Sequence, residues 1–332
     1  MKRALQIIFS CLFVSFALWA MLQAIAWRDV REDLLLLNWL NIVLIIGLVL
    51  LMGVIKATRF FYILRYGEVK VSWKNAVRIF IASLVLSPIP AGEVGRAMLF
   101  KKELDVHLSQ TAGPVFLQAL MELWSATLWV IFAAFFVGFP IGWWLIGLLG
   151  LLALLSAPLL ASSQLTKILE ALQARGKNYA WIEKVKTTLH HFHALISPQG
   201  KTKNLLFWIR IVGLALLVQA IGGGLLWYIA QLVGVPITIL QGVFAAAMAA
   251  LIQGVFTIIP GGLGVTEGGL VGILSGFGVS WHQTVVVTLL FRVATLPLAI
   301  LIALCFLLPI YGKNILHYFQ DRYNTSTSPP QL

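Results

Sequence analysis

Ile258-Ile259-Pro260-Gly261-Gly262-Leu263-Gly264-Val265-Thr266-Glu267-Gly268-Gly269 is a glycine-rich turn with one carboxylate, set between two apolar runs. A second interruption, Ser87-Pro88-Ile89-Pro90-Ala91-Gly92-Glu93-Val94-Gly95-Arg96, repeats the order proline, small residues, glycine, glutamate. Proline lacks a backbone N–H and glycine loosens a helix, so each break frees polar backbone groups. Inside hydrocarbon such groups are tolerated only against protein or a water-filled cavity. The two motifs are therefore expected to form two halves of one functional site.

The surrounding chain supplies the hydrocarbon. Of 332 residues, 60% are hydrophobic and 11% charged, against about 25% charged in soluble domains. Apolar segments of about 20 residues, enough to span a bilayer, recur from Leu5 almost to Tyr311. No polar stretch between them is long enough for a separate soluble domain. The expected fold is an all-α polytopic membrane protein with one membrane domain over 1–312, a cytoplasmic amphipathic insert at 162–203 and a cytoplasmic tail at 313–332.

The net charge of +12 comes from 24 basic against 12 acidic residues, and the bases cluster in a few loops. That pattern fits the positive-inside rule and attraction to anionic inner-leaflet lipids, so no nucleic-acid partner is implied. Cys11 and Cys305 lie in different apolar segments without metal-ligand spacing. His190, His191 and His193 have no nearby acid or cysteine to complete a metal site and read as a solvated basic face. Neither a metal nor a cofactor is expected.

Six full spans are expected, at Leu5–Ala26, Leu34–Ile55, Gly113–Gly138, Ile141–Ala161, Leu205–Val233 and Thr284–Tyr311. Lys2 and Arg3 before an apolar run resemble a signal peptide, but the run exceeds the usual length of about 7–15 residues and reads as a retained span. Lys56, Arg59, Arg65, Lys70, Lys74 and Arg78 against the single acid Glu68 place the next segment in the cytoplasm. Ala76–Phe100 has basic residues at both ends. A re-entrant hairpin broken at Pro88–Gly92 keeps both ends inside, and one span kinked at Pro88 and Pro90 is the alternative.

Ile237–Phe277 reads as a second hairpin, entering from outside around the opening motif. Two oppositely oriented re-entrant hairpins with one residue order are the weak internal symmetry of inverted-repeat transporters. Both termini are expected in the cytoplasm.

Charged side chains inside a membrane cost about 2.5–3.5 kcal/mol each on insertion scales, so Glu93, Arg96, Glu122, Glu267 and Arg292 need a reason. Gln118, Glu122 and Ser125 share one helical face, which should look into the bundle. Structural pairing would join Glu93 or Glu122 to Arg96, and Glu267 to Arg292. The glycine breaks beside these charges point instead to a binding role. Arg96 and Arg292 can each hold a phosphate by two hydrogen bonds, and backbone N–H groups at Gly261, Gly262 and Gly264 can add to this. Glu93 and Glu267 can hold an amine or take up protons.

At these residues the chain resembles the integral-membrane, flippase-like region of bacterial lysylphosphatidylglycerol synthases. Gly92-Glu93-Val94-Gly95-Arg96 matches that family's Gly-Glu-x-x-Arg, and Pro260–Glu267 matches its Pro-Gly-Gly-Leu-Gly-x-x-Glu. Phe291-Arg292 followed by Pro297 resembles the arginine of its closing span. Members often carry Glu-Arg-x-x-Asp after the first hairpin, whereas Gln118-Ala119-Leu120-Met121-Glu122 keeps only the final acid, so a smaller charge network is expected. No aminoacyl-transferase domain follows Tyr311, so the resemblance implies the lipid-moving part and not lysyl transfer.

The resemblance implies a bacterial inner-membrane transporter, not an enzyme, moving an anionic phospholipid or polyprenyl-linked lipid between leaflets. Its substrate-binding residues would be Glu93, Arg96, Glu122, Gly261, Gly262, Gly264, Glu267 and Arg292. The alternatives are a membrane-embedded enzyme acting on a lipid head group, with Glu93, Glu122 and Glu267 as acid, base or metal ligands, or a scaffold that recruits a partner through 162–203.

Overall fold

The computed structural model describes residues 38–86, 92–137, 205–255, 262 and 264–307. The expected spans Leu5–Ala26 and Ile141–Ala161, the insert at 162–203 and the tail at 313–332 lie outside the described residues. All secondary structure among the described residues is helical. The elements are α1 (Trp39–Tyr66), α2 (Trp73–Ser83) with a 3-10 turn at Leu84–Leu86, α3 (Gly92–Leu104), α4 (Leu108–Val137), α5 (Leu205–Leu232), α6 (Ile239–Val255), α7 (Val265–Gly276), α8 (Trp281–Thr295) and α9 (297–307).

Among the described residues, four helical stretches are long and apolar enough to cross a membrane: Trp39–Tyr66, Gln110–Val137, Leu205–Leu232 and Trp281–Leu307. Their outer faces carry Trp39, Val43 and Leu44 of α1, Phe132, Phe135 and Phe136 of α4, and Leu205 and Ile209 of α5, all exposed. In water this surface would be a large aggregation-prone patch, whereas in lipid it is solvated.

Local chemistry sets the ends. Ser72 caps α2 by accepting from the Asn75 N–H at 3.3 Å, and Ser280 caps α8 in the same way from Gln283. Gly67 closes α1, its N–H bonded to the Ile63 carbonyl at 3.0 Å. The last long stretch is broken at Leu296, because Pro297 has no N–H to continue the ladder. Pro114 is absorbed inside α4, which starts at Leu108, five residues earlier than the span expected from Gly113.

The second span differs more from expectation. A cytoplasmic segment was expected to begin at Lys56, yet α1 runs unbroken for 28 residues to Tyr66. Lys56 and Arg59 are therefore helical, and Arg59 is fully buried. The hydropathy of the segment counts these two cations against a span, and it cannot register that residues from another helix neutralise them.

Around both motifs the chain forms short helices. α2 and α3 have 11 and 13 residues, α6 and α7 have 17 and 12. The centre of the fold is α6, whose Ala245 and Ala247 are fully buried and which packs on α4, α5 and α7. The α5–α6 crossing is close because both sides lack side chains. A Cβ on Gly223 would collide with the Val243 backbone, and one on Gly242 would lie 2.7 Å from the Gly223 carbonyl oxygen. Beyond α2 and α3, Phe60, Phe80 and Phe100 stack at centroid distances of 5.6 and 4.7 Å and join these helices to α1.

This crossing generates a direct test. Gly223→Ala should destabilise the protein by about 1–3 kcal/mol, the usual cost of overpacking against groups that cannot move aside. Gly224→Ala should not, since nothing lies within 4 Å of its added Cβ. Thermal denaturation of the two purified variants in detergent checks this, and equal midpoints would refute the close crossing.

Candidate functional site

The first motif opens α3. Glu93 sits in that helix's first turn, where the exposed N–H groups favour a negative charge. One turn on, Arg96 donates from its Nη1 to both Glu93 oxygens, at 3.0 and 2.8 Å. Its Nε donates to the Ser83 hydroxyl of α2 at 3.0 Å, and its guanidinium lies 4.8 Å from the Phe80 ring centroid. Arg96 is thus held by α2 and α3 together and by both ion-pair and cation–π contacts.

Beside it α1 and α4 make a second cluster. Arg59 Nε donates to Gln118 Oε1 and Nη2 to Glu122 Oε1, both at 2.9 Å. The same Glu122 oxygen lies 3.3 Å from Lys56 Nζ. Gln118 and Ser125 are buried, so the polar face of α4 does look into the bundle. Of the two partners expected for Arg96, the structure shows Glu93 of its own helix, while Glu122 pairs with α1. The network is therefore larger than the single acid on α4 implied, because its cations come from a segment read as loop.

The glycine-rich motif opens α7. Gly264 has φ 86°, in the left-handed region that a residue with a Cβ rarely occupies. Its N–H donates to Glu267 Oε2 at 2.7 Å, one half of a capping box. Arg292 of α8 donates through Nε to the other carboxylate oxygen, Oε1, at 2.5 Å. The expected Glu267–Arg292 pair is formed and nearly inaccessible, the two side chains being 4% and 10% exposed. Gly262 is buried, with φ 66°. Gly261 lies outside the described residues.

One cavity of about 400 Å³ connects these parts, within the roughly 300–1,000 Å³ range of small-molecule sites. Its wall includes Glu93 and Arg96 from the first motif and Gly262 and Thr266 from the second. Lys56, Glu122 and Arg292 complete the charged lining among the described residues, with Gln219 and Gln253 as neutral polar groups. Sequence reasoning missed Lys56, Arg59, Gln219 and Gln253. Gln219 and Gln253 were legible as polar residues in apolar helices, and Lys56 and Arg59 were hidden by the charge rule that assigns clustered bases to loops.

These features define a polytopic helical membrane protein with a charged interior cavity between interrupted helices. The family described as the lysylphosphatidylglycerol synthase TM region matches residues 7–303, and the chain belongs to that family. The family ties it to lipid metabolism or transport. No curated protein matches the sequence.

The shared Glu122 gives the second prediction. Glu122→Ala leaves Arg59 buried without its carboxylate and should cost about 3–5 kcal/mol of stability. The double variant Arg59→Met, Glu122→Leu should recover most of that loss, because it removes the stranded charge along with its partner. Chemical denaturation of the single and double variants distinguishes this from a cost due to lost packing alone, in which the double variant would be the worse.

Proposed function

We propose that the protein is a lipid transporter that moves an anionic phospholipid or polyprenyl-linked lipid between leaflets, and is not an enzyme. The carrying observation is that one cavity touches both interrupted motifs and their arginines. In this reading the head group crosses through the cavity while the acyl chains stay in lipid. Arg96 and Arg292 hold its phosphate, and Glu93 and Glu267 keep those cations from being stranded when the cavity is empty, as Glu122 does for Lys56 and Arg59. The membrane is the bacterial inner membrane with both termini in the cytoplasm.

The proposed topology has six full spans and two re-entrant hairpins entering from opposite faces. Helix length supports it. At 1.5 Å per residue, α2, α3 and α7 reach about 16–20 Å and α6 about 25 Å, all short of a hydrocarbon core of about 30 Å. Short arms meeting inside the bilayer would put the C-termini of α2 and α6, the N-termini of α3 and α7 and the freed backbone groups at the cavity rather than in lipid.

Reconstitution into liposomes with a fluorescent phosphatidylglycerol on one leaflet tests the function. Wild type should translocate the lipid, and Arg292→Ala and Arg96→Ala should each reduce the rate by about tenfold or more, the scale of a lost charge-assisted hydrogen bond. Unchanged translocation in both variants would remove the two arginines from the site. Formation of a new lipid product by the purified protein would overturn the transporter reading in favour of an enzyme.

A further inference from the structure

We propose that Glu267 occupies, in the lipid-free protein, the subsite of a phosphodiester carrying one negative charge, and that the lipid's phosphate displaces it from Arg292 and the start of α7. This rests on the lipid-transport reading and adds to it a donor set, a charge requirement and a means of release.

The geometry is that of a held anion. Each Glu267 oxygen has its own donor, Gly264 N–H for Oε2 and Arg292 Nε for Oε1. A helix N-terminus and a guanidinium converging on one carboxylate form a two-point anion holder that a phosphate fits equally well. The preceding residue carries a further donor that is unused. Thr266 lines the cavity, is 2% exposed, and its buried hydroxyl has no hydrogen-bond partner. Such an orphan is costly to keep and calls for an explanation.

The hydroxyl faces Gly262, where an added Cβ would come within 2.6 Å of Thr266 Oγ1 and 3.1 Å of Gln253 Cγ. A side chain at position 262 would press directly on the hydroxyl. A carboxylate has two oxygens and both are taken, whereas a phosphodiester brings further oxygens, so the third donor is satisfied only after the exchange.

Charge selects the ligand class. Among the described residues, the cavity wall has the cations Lys56, Arg96 and Arg292 against the carboxylates Glu93 and Glu122, leaving one positive charge. Adding Arg59 and Glu267, which sit behind the wall, leaves the same excess. One monoanionic phosphodiester therefore brings the whole set to neutrality, and a zwitterionic head group does not. Release follows from the same competition, because Glu267 is tethered beside the subsite at a high effective concentration and re-binds Arg292 as the phosphate leaves.

The test measures binding by the full-length protein in detergent. Dioctanoyl phosphatidylglycerol, inorganic phosphate and uncharged dioctanoylglycerol are titrated separately, with translocation followed in liposomes. Glu267→Gln removes the internal competitor and should bind the phosphatidylglycerol about tenfold tighter than wild type while translocating it more slowly. Thr266→Val should bind it about tenfold more weakly, with a melting temperature equal to or above wild type, because no bond present in the lipid-free protein is lost. Dioctanoylglycerol should show no difference among the three proteins.

Equal or weaker phosphatidylglycerol binding by Glu267→Gln would overturn the exchange. If that variant fails to fold, unchanged binding by Thr266→Val overturns the subsite by itself. Where wild type translocates lipid yet neither variant differs from it, the exchange fails and lipid transport stands. Where wild type translocates nothing but Glu267→Gln binds inorganic phosphate more tightly, the anion subsite stands and the lipid reading fails.

Discussion

Arg59 is fully buried, and the cost of keeping a guanidinium out of water governs much of what surrounds it. An isolated buried charge costs several kcal/mol even after relaxation, so α1 can traverse the bundle only with α4 supplying Gln118 and Glu122. Glu122 in turn also serves Lys56. The register of α1 against α4 is thereby fixed by polar groups, in an environment where apolar packing alone discriminates poorly, since lipid is as apolar as the helix surface.

Dry packing provides the counterpart. α6 reaches the centre of the bundle because alanines and glycines line its contacts, and the backbone of α5 approaches it where Gly223 meets Val243. These contacts bring the second motif, which follows α6 in the chain, against the same cavity as Arg96 and Glu122. The charged groups define the cavity's chemistry, and the small residues determine which charged groups share it.

The helical class and the two motifs were legible because hydropathy and proline–glycine breaks are local properties of the chain. The Glu267–Arg292 pair was legible too, as the two charges of an otherwise apolar region. Lys56 and Arg59 were not. The positive-inside rule reads bases by their neighbours in sequence, while their helical placement depends on Glu122, 63 residues beyond Arg59. The Glu93–Arg96 pair, three residues apart, was legible as one of two alternatives, whereas the Ser83 hydroxyl of α2 that also holds Arg96 was not. The orphan hydroxyl of Thr266 is invisible to sequence in principle, because the absence of a partner is a property of the packed structure.

The two poles of the cavity look alike in sequence but respond differently to helix movement. Glu93 and Arg96 lie three residues apart on α3, so their pair travels with the helix and survives any rigid displacement of it. Glu267 and Arg292 lie on α7 and α8, so their pair breaks whenever those helices separate or rotate. Just beyond Arg292 the helix is interrupted at Leu296, which with Thr295 and Ala299 also lines the cavity, and an interrupted ladder bends more readily than a continuous one. The chain has therefore placed its self-contained pair, in which only Glu93 is exposed, on one side and its buried, divisible pair next to a break. A bend there would act on the second pole and leave the first intact.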